Sequence, residues 1–234
     1  MTVTLLRAAQ GLLWPTQCFG CGAWDEVVCP ACAALARRPP VVGLLEDAPR
    51  AGESIPLIAS GAYEGELRSI LLAAKHSPAF DGSAFLEEAG FTLGRALAGI
   101  VALREGEDPR SGEPWWVVPA PPSWKRRLTG TRVTDVLARG VARGLACASG
   151  ARVLVVDAIA VRIGAHSQAG RGGAARRRGR EGIMRARVRL PDPGRIILVD
   201  DVITTGATLR ELARVCAGAR AGAVLAQAGA GRSR

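Results

Sequence analysis

The sequence predicts an α/β fold, a parallel sheet flanked by helices, with a small four-cysteine module in front of it. Residues 196–199 form a continuous aliphatic and β-branched run, as expected for a strand buried on both faces of a parallel sheet. Apolar residues at helical spacing, as in residues 67–74, alternate with further short apolar runs along the chain. Four of the six cysteines lie within residues 18–32, which sets that segment apart from the rest.

Length and composition limit the classes of protein that this chain can belong to. The 234 residues can hold one full α/β domain and a small additional module. No apolar run reaches the ~18 residues of a membrane span, and residues 5–14 are typical of a short amphipathic helix rather than a signal peptide. We therefore expect a cytoplasmic protein. The net charge of +10 favours phosphorylated or polyanionic partners, although a biased base composition of the genome would also produce many arginines.

The N-terminal cysteines form two Cys-x-x-Cys knuckles, Cys18/Cys21 and Cys29/Cys32. Each knuckle can present two thiolates to one tetrahedral zinc ion, and four thiolates leave no open position for catalysis. The spacing thus predicts a structural zinc module in residues 1–38, and a redox dithiol or a former metal site are the alternatives. Residues 39–54, rich in proline and glycine, are predicted to be a linker to a main domain at residues 55–234.

Apolar runs and helical periodicity predict the order of elements in the main domain. Strands are expected at residues 55–63, 115–118, 152–157, 196–199 and 223–227. Helices are expected at residues 65–75 and 84–104, around residues 133–141, and from residue 209. A flexible loop rich in arginine and glycine is expected at residues 164–182.

Polar residues follow the predicted strand at residues 196–199. Asp200 and Asp201 come first, and Thr204, Thr205, Gly206, Ala207 and Thr208 lead into a helix. Parallel sheets bind ligands at the carboxyl ends of their strands, and a helix N-terminus with nearby hydroxyls can cradle a phosphate. The two carboxylates can accept hydrogen bonds from a vicinal diol, which fits a ribose 5′-phosphate. The alternative is an ordinary strand–turn–helix with a threonine cap.

Two basic segments could serve a second anionic group. Lys125 and Arg126 lie just beyond the strand predicted at residues 115–118, and Arg176 lies in the loop at residues 164–182. Clustered cations at a strand end suit a pyrophosphate. A solvated basic loop is an equally good interpretation of the first segment, and contact with nucleic acid is an alternative for the second.

Residues 196–208 resemble the signature of type I phosphoribosyltransferases, which bind 5-phosphoribosyl 1-pyrophosphate (PRPP). Over nearly its full length the chain resembles the ComF (ComFC-like) family, competence-associated members of that group. The resemblance depends on the cysteine module, the signature, and matches at residues 63–68, 75, 118–121, 125–127, 168–170 and 176–178. The chain departs from the family pattern at residues 130–133 and at Gly179.

The resemblance implies a type I phosphoribosyltransferase fold and a glycosyltransferase that uses PRPP with magnesium. Asp200 and Asp201 would be catalytic, residues 204–208 would hold the 5′-phosphate, and Lys125, Arg126 and Arg176 would contact the pyrophosphate. The phosphoribosyl group would pass to an unidentified acceptor, in a protein linked to competence and DNA uptake. A PRPP-binding regulator without activity, or an interaction protein that contacts DNA or the competence machinery, are the alternatives.

Overall fold

The computed structural model describes residues 16–46, 54–102, 113–122, 133–161, 182–191 and 194–229. The helices are α1 (Pro30–Ala33), α2 (Gly65–His76), α3 (Ser83–Ala102), α4 (Val133–Ser149) and α5 (Ala207–Val215), and a 3-10 turn (Ala34–Arg37) follows α1. The strands are β1 (Val41–Leu45), β2 (Ile55–Ala62), β3 (Trp115–Pro119), β4 (Val153–Val155), β5 (Ile159–Val161), β6 (Met184–Ala186), β7 (Ile196–Ile203) and β8 (Ala221–Gln227).

A six-stranded sheet in the order β1-β2-β8-β7-β3-β4 forms the centre of the molecule. The strands from β2 to β4 in that order are all parallel, and β1 joins the β2 edge in the antiparallel direction. Strands β5 and β6 pair separately as an antiparallel two-stranded sheet. The prediction of an α/β fold with a mostly parallel sheet is confirmed. The carboxyl ends of all the parallel strands therefore lie along one edge.

Helices cover both faces of the sheet, and the central strand β7 is apolar at every position of its first half. Ile197 and Val199 of β7 pack into the core that contains the buried residues of α2, α3 and α4. Ile196 and Leu198 alternate with them and pack into the core that contains α5. This two-sided burial explains why the strand has a continuous rather than an alternating apolar pattern.

Glycines allow helices α3 and α4 to approach each other closely. A Cβ atom built on Gly94 would lie 2.1 Å from the Val141 carbonyl oxygen, and one on Gly140 would lie 2.4 Å from the Glu87 carbonyl oxygen. No side chain fits at such distances, so backbone meets backbone along this interface. The two helices form the main layer on their face of the sheet.

The cysteine module shares its core with the α/β sheet. Cys18, Cys32 and Leu35 belong to the same buried cluster as Ile70 of α2. A Cβ atom on Gly20 would lie 2.6 Å from Cys32 Sγ and 3.2 Å from Ile70 Cδ1, so glycine is needed where the module meets α2. The Phe19 and Phe80 rings also stack, with centroids 4.7 Å apart. The boundary predicted at residue 38 remains a prediction, but the module packs as part of the larger core.

Four strands of the structure differ from the predicted elements. Residues 41–45, predicted within a linker, form edge strand β1, in register from Val41↔Ala59 to Leu45↔Ile55. Their side chains are mostly exposed, so the apolar alternation that signals a half-buried strand is missing. Strands β5 and β6 are three residues each, too short for a pattern. Strand β7 extends to Ile203 and so contains the two aspartates that we expected after it.

The other predicted strands and helices that fall on described residues are present, with ends shifted by a few residues. None of the helices in the described ranges has both the length and the apolar character that crossing a bilayer requires.

Candidate functional site at the carboxyl edge of the sheet

Asp200 and Asp201 occupy consecutive positions in β7 and therefore point to opposite faces of the sheet. Asp200 pairs with Val224 of β8, and the ladder continues to Ile203↔Gln227, so the alternation of side chains holds through both aspartates. Asp200 follows Ile196 and Leu198 towards the face covered by α5. Asp201 follows Ile197 and Val199 towards the face covered by α2, α3 and α4. The sequence treats these residues as one pair, whereas the strand separates them.

Asp201 forms an ion pair with Lys75. The Lys75 Nζ atom lies 2.9 Å from Asp201 Oδ1, and the two side chains are only 11% and 7% exposed. Lys75 lies in the last turn of α2, where a cation is also favoured by the helix dipole. The sequence identified Lys75 only as part of the family resemblance and as a helix-end cation. The structure makes it the counter-ion of a buried carboxylate and ties the end of α2 to β7.

Asp200 lies beside the turn that follows β7. Its Oδ1 atom accepts a hydrogen bond of 2.8 Å from the Asp201 backbone N–H. Together with residues 202–209 it lines a shallow depression that encloses about 210 Å³ of space open to solvent. Thr204, Thr205, Gly206, Ala207 and Thr208 all line this depression, so the structure brings the predicted phosphate residues together with Asp200.

The turn owes its shape to Gly206. Its φ of 72° lies in the left-handed region that side-chain-bearing residues avoid, and α5 begins at the next residue. Thr204 and Thr205 are exposed, and the Thr205 Oγ1 atom accepts a long 3.4 Å hydrogen bond from the Ala207 N–H. The first N–H groups of α5 have no partner within the helix and lie at the depression. Hydroxyls and amides thus converge at a site suited to an anion.

Arg210 is a residue of this site that the sequence analysis missed. Its Nη2 atom donates a hydrogen bond to the Thr205 carbonyl oxygen, so the guanidinium lies against the backbone of the turn. Arg210 is the fourth residue of α5, and a cation in the first turn of a helix opposes the helix dipole. That mismatch was a usable signal, since a bound anion would favour both the dipole and the arginine.

The predicted pyrophosphate residues Lys125, Arg126 and Arg176 lie outside the described residues, as do residues 130–132 and Gly179. Strand β6, which lies beyond the predicted loop, is held against α5. The buried Glu211 carboxylate accepts a 2.9 Å hydrogen bond from the Met184 N–H. Arg214 donates to Glu211 at 2.8 and 2.9 Å, and to the Met184 carbonyl at 3.0 Å.

This clasp keeps Glu211 charged. Burial by itself would raise the pKa of Glu211, but hydrogen bonds from Arg214 and from the backbone N–H groups of Met184 and Gly182 outweigh it, and the pKa falls below its usual value. A charged carboxylate with this many donors is a stable anchor for the strand.

The four cysteines of the module come together as predicted. The sulfur atoms of Cys18, Cys21, Cys29 and Cys32 all lie within 4.8 Å of one another, and Cys21 Sγ and Cys29 Sγ are 3.6 Å apart. A zinc ion with Zn–S distances of about 2.3 Å needs sulfurs about 3.8 Å apart at the corners of a tetrahedron. The cluster is compatible with that requirement, and the four cysteines could hold a metal ion such as zinc.

The surroundings of the sulfurs also fit a cation. Burial by itself would raise the pKa of Cys18, but hydrogen bonds from the backbone N–H groups of Cys29, Cys21 and Gly20 outweigh burial and lower the pKa to about 6. The pKa of Cys32 is raised by burial and by the neighbouring sulfurs. Four thiolates at this separation repel one another, and a divalent cation among them would remove that cost.

Comparisons with known proteins assign this chain to no family. No protein-family model and no curated protein matches this sequence. A solved structure described as the allosteric regulatory enzyme of purine biosynthesis shows a distant similarity, with 19% sequence identity and a TM-score of 0.28. The similarity covers 58% of this chain and 25% of that chain, so it spans about a quarter of that enzyme.

Proposed function

We propose that this protein binds PRPP with magnesium and transfers its phosphoribosyl group to an acceptor, with release of pyrophosphate. The observation that carries the proposal is the turn at residues 204–208, which gathers hydroxyls and helix amides beside the Asp200 carboxylate at the carboxyl edge of a parallel sheet. A phosphate and a ribose diol attached to it are the groups that such a pair of subsites recognises.

The 5′-phosphate would bind in the turn. Thr205 and Thr208 would donate their hydroxyls, the amides at the start of α5 would donate theirs, and Arg210 would add a positive charge from behind. Glycine suits position 206 because its φ of 72° lies in the left-handed region, where most residues with a side chain are strained.

Asp200 is the residue proposed to face the ribose. As the C1′–O bond to pyrophosphate breaks, positive charge develops on the ribose ring, and a nearby carboxylate stabilises it. Asp201 would act from the other face, through Lys75, by fixing α2 against β7. Both aspartates remain part of the proposed machinery, but with separate tasks.

Magnesium suits the oxygen donors present here, the Asp200 carboxylate and the threonine hydroxyls. When bound with PRPP, it would offset the charge of the pyrophosphate. The pyrophosphate is also proposed to contact Lys125, Arg126 and Arg176. The module cysteines would hold zinc in a purely structural site, since all four ligand positions are filled by protein.

Calorimetry with PRPP, with and without magnesium, tests the anion site. Thr205→Val removes one hydroxyl donor to a charged acceptor and should weaken binding by about 1–3 kcal/mol. Thr92→Val is the matched control, since the Thr92 hydroxyl donates to the Glu88 carbonyl on α3, away from the turn. Equal affinity of wild type and Thr205→Val would contradict this phosphate site.

Pyrophosphate release from PRPP, measured with purine and pyrimidine bases and simple amines as acceptors, tests the transfer. Release above the uncatalysed rate with at least one acceptor supports it. PRPP binding without release from any acceptor would make the protein a regulator that senses PRPP. Failure to bind PRPP would leave the DNA-uptake interaction suggested by the ComF resemblance as the leading function.

A further inference from the structure

Strand β1 is the terminal strand of the six-stranded sheet, and within the described ranges one side of its backbone has no strand beside it. It pairs antiparallel with β2 through five residues, from Val41↔Ala59 to Leu45↔Ile55. The buried Leu45 anchors it, since a Cβ atom built on Gly206 of the candidate site would lie 3.3 Å from Leu45 Cδ1. The N–H and C=O groups on the outer side of such an anchored edge are a template for a further strand.

The side chains of β1 lack the features that usually keep an edge strand from pairing. Natural edges carry charged residues, prolines or bulges, whereas residues 41–45 are Val-Val-Gly-Leu-Leu in an unbroken register with β2. Val42 and Leu44 are 68% and 57% exposed. Because Val42 lies opposite Ile58, both side chains are on the α2 face of the sheet. A row of exposed apolar side chains on an open edge is typical of an interface.

Opposite charges flank the strand at equal distances from Val42. Arg38 lies four residues before Val42 in an extended conformation, with φ −62° and ψ 142°, and Glu46 lies four residues after it. Both charged residues are exposed. Even spacing in an extended segment places all three side chains on one face. A strand with this charge arrangement is complementary to an antiparallel copy of itself, because each Arg38 meets the Glu46 of the other copy.

Symmetry restricts how two copies of this strand can pair. Directly opposite side chains of an antiparallel pair share a face of the sheet, so the twofold axis must pass between two copies of the same residue. An axis at Val42 sets this residue against its own counterpart and forms two Arg38–Glu46 pairs. An axis at Gly43 would place Glu46 opposite Pro40 and form neither pair. The charges therefore favour the register centred on Val42.

We propose that β1 is the interface with a second copy of this chain, paired antiparallel about Val42 so that the two sheets become one continuous sheet. Val42 packs on Val42, Leu44 packs on Pro40 of the other copy, and an Arg38–Glu46 pair closes each end. A contact made mainly by one short strand is smaller than a standard interface of ~1,600 Å², so the dimer should dissociate on dilution. This interface does not depend on the proposed function.

Sedimentation velocity of the full-length protein, from about 1 μM to about 500 μM, tests the association. The mass should rise with concentration from that of a monomer towards that of a dimer. Val42→Lys sets two ammonium groups opposite each other at the axis and should keep the protein monomeric, with an unchanged melting temperature because Val42 is exposed. Leu154→Lys is the matched control, since Leu154 is 44% exposed on β4 at the other end of the strand order, and it should associate as wild type does.

A wild type that stays monomeric over this range would overturn the proposal. So would a Val42→Lys variant that associates as wild type does, or a loss of association in Leu154→Lys that equals the loss in Val42→Lys.

Disulfide cross-linking tests the register. Val42→Cys should form a covalent dimer under mild oxidation, since the two introduced cysteines face each other across the axis. Leu44→Cys should not, because the two copies of residue 44 are offset by roughly 13 Å along the strands, beyond the ~7 Å reach of a disulfide. Wild type treated with the same oxidant measures the background from the native cysteines. Cross-linking of Leu44→Cys that equals or exceeds that of Val42→Cys would contradict the register centred on Val42.

Charge reversal tests the two ion pairs. Arg38→Glu sets like charges against each other at both ends of the interface and should weaken the dimer about tenfold. Adding Glu46→Arg to this variant exchanges the charges of both pairs and should restore the wild-type dissociation constant. If the double variant is as weak as Arg38→Glu alone, Arg38 and Glu46 do not meet and the proposed pairing is wrong.

Discussion

Neutralising the two adjacent aspartates should have different consequences, because they lie on opposite faces of β7. Asp200→Asn keeps an oxygen that can accept the hydrogen bond from the Asp201 N–H, which is 2.8 Å long in the wild type, and it leaves the ion pair between Lys75 and Asp201 in place. The free energy of unfolding should therefore change by less than about 1 kcal/mol. Pyrophosphate release should fall sharply, since the charge next to the proposed ribose site is lost, whereas PRPP binding should change much less.

Asp201→Asn breaks an ion pair whose partners are only 7% and 11% exposed. Removing one partner of such a buried pair costs about 3–5 kcal/mol, because the other charge is left without its counter-ion. Lys75→Met should cost a similar amount for the same reason. The two changes are coupled, so the double variant should be more stable than the sum of the single effects predicts, by about 1–3 kcal/mol.

Urea unfolding of the four variants and the wild type, followed by circular dichroism, measures these free energies, and pyrophosphate release is measured on the same samples. If Asp200→Asn destabilises the protein as much as Asp201→Asn does, the assignment of the two side chains to opposite faces is wrong. An additive double variant would mean that Lys75 and Asp201 do not form the stabilising pair.

Four further predictions follow from the structure. Freshly purified protein should contain about one zinc per chain by elemental analysis. Cys18→Ser should lower the melting temperature of the whole protein, because Cys18 lies in the main core. Unfolding of the cysteine module alone, with an unchanged melting temperature of the sheet, would contradict this. Gly206→Ala should abolish detectable PRPP binding in calorimetry while the chain stays folded, because alanine is strained at a φ of 72° and the turn would change shape. Wild-type affinity of this variant would exclude a phosphate at this turn. Glu211→Gln should cost about 1–3 kcal/mol at pH 7. The pKa of the Glu211 carboxyl is lowered in the folded state, so its contribution to stability is present above the unfolded pKa of about 4.3 and is lost as the pH falls through the folded pKa. Urea unfolding at pH 7 and at pH 3.5 should therefore show a smaller difference in stability between wild type and Glu211→Gln in acid. Gly94→Ala should cost more than about 3 kcal/mol in the same assay, because its Cβ would lie 2.1 Å from a carbonyl oxygen, whereas Gly99→Ala, with no atom within 4 Å of its Cβ, should be neutral or stabilising.

The sequence by itself determined the class of fold and most of the groups that line the candidate site. A continuous apolar strand followed by a threonine–glycine turn and a helix is a local pattern, and its structure depends on residues that are neighbours in the chain. The arrangement of each Cys-x-x-Cys knuckle is also local, since the knuckle holds its two sulfurs within one short turn. These features could be predicted because the physical cause and its effect lie within about fifteen residues of each other.

Only the tertiary structure decided which distant residues meet at the site. Lys75 reaches Asp201 because α2 runs from the end of β2 to β7, and nothing near Lys75 in the chain encodes that path. Arg210 lies behind the turn because a side chain in the first turn of a helix leans towards its N-terminus.

The same reason explains the separation of the aspartates and the missed strand β1. Asp200 and Asp201 look like one functional pair in the sequence, but whether they share a face depends on where the strand ends, and hydrogen bonds from β8 extend it to Ile203. Residues 41–45 become a strand because β2 offers them a free edge. Backbone pairing is a long-range interaction, so the side-chain pattern of a segment does not specify it, and the position of neighbouring strands does.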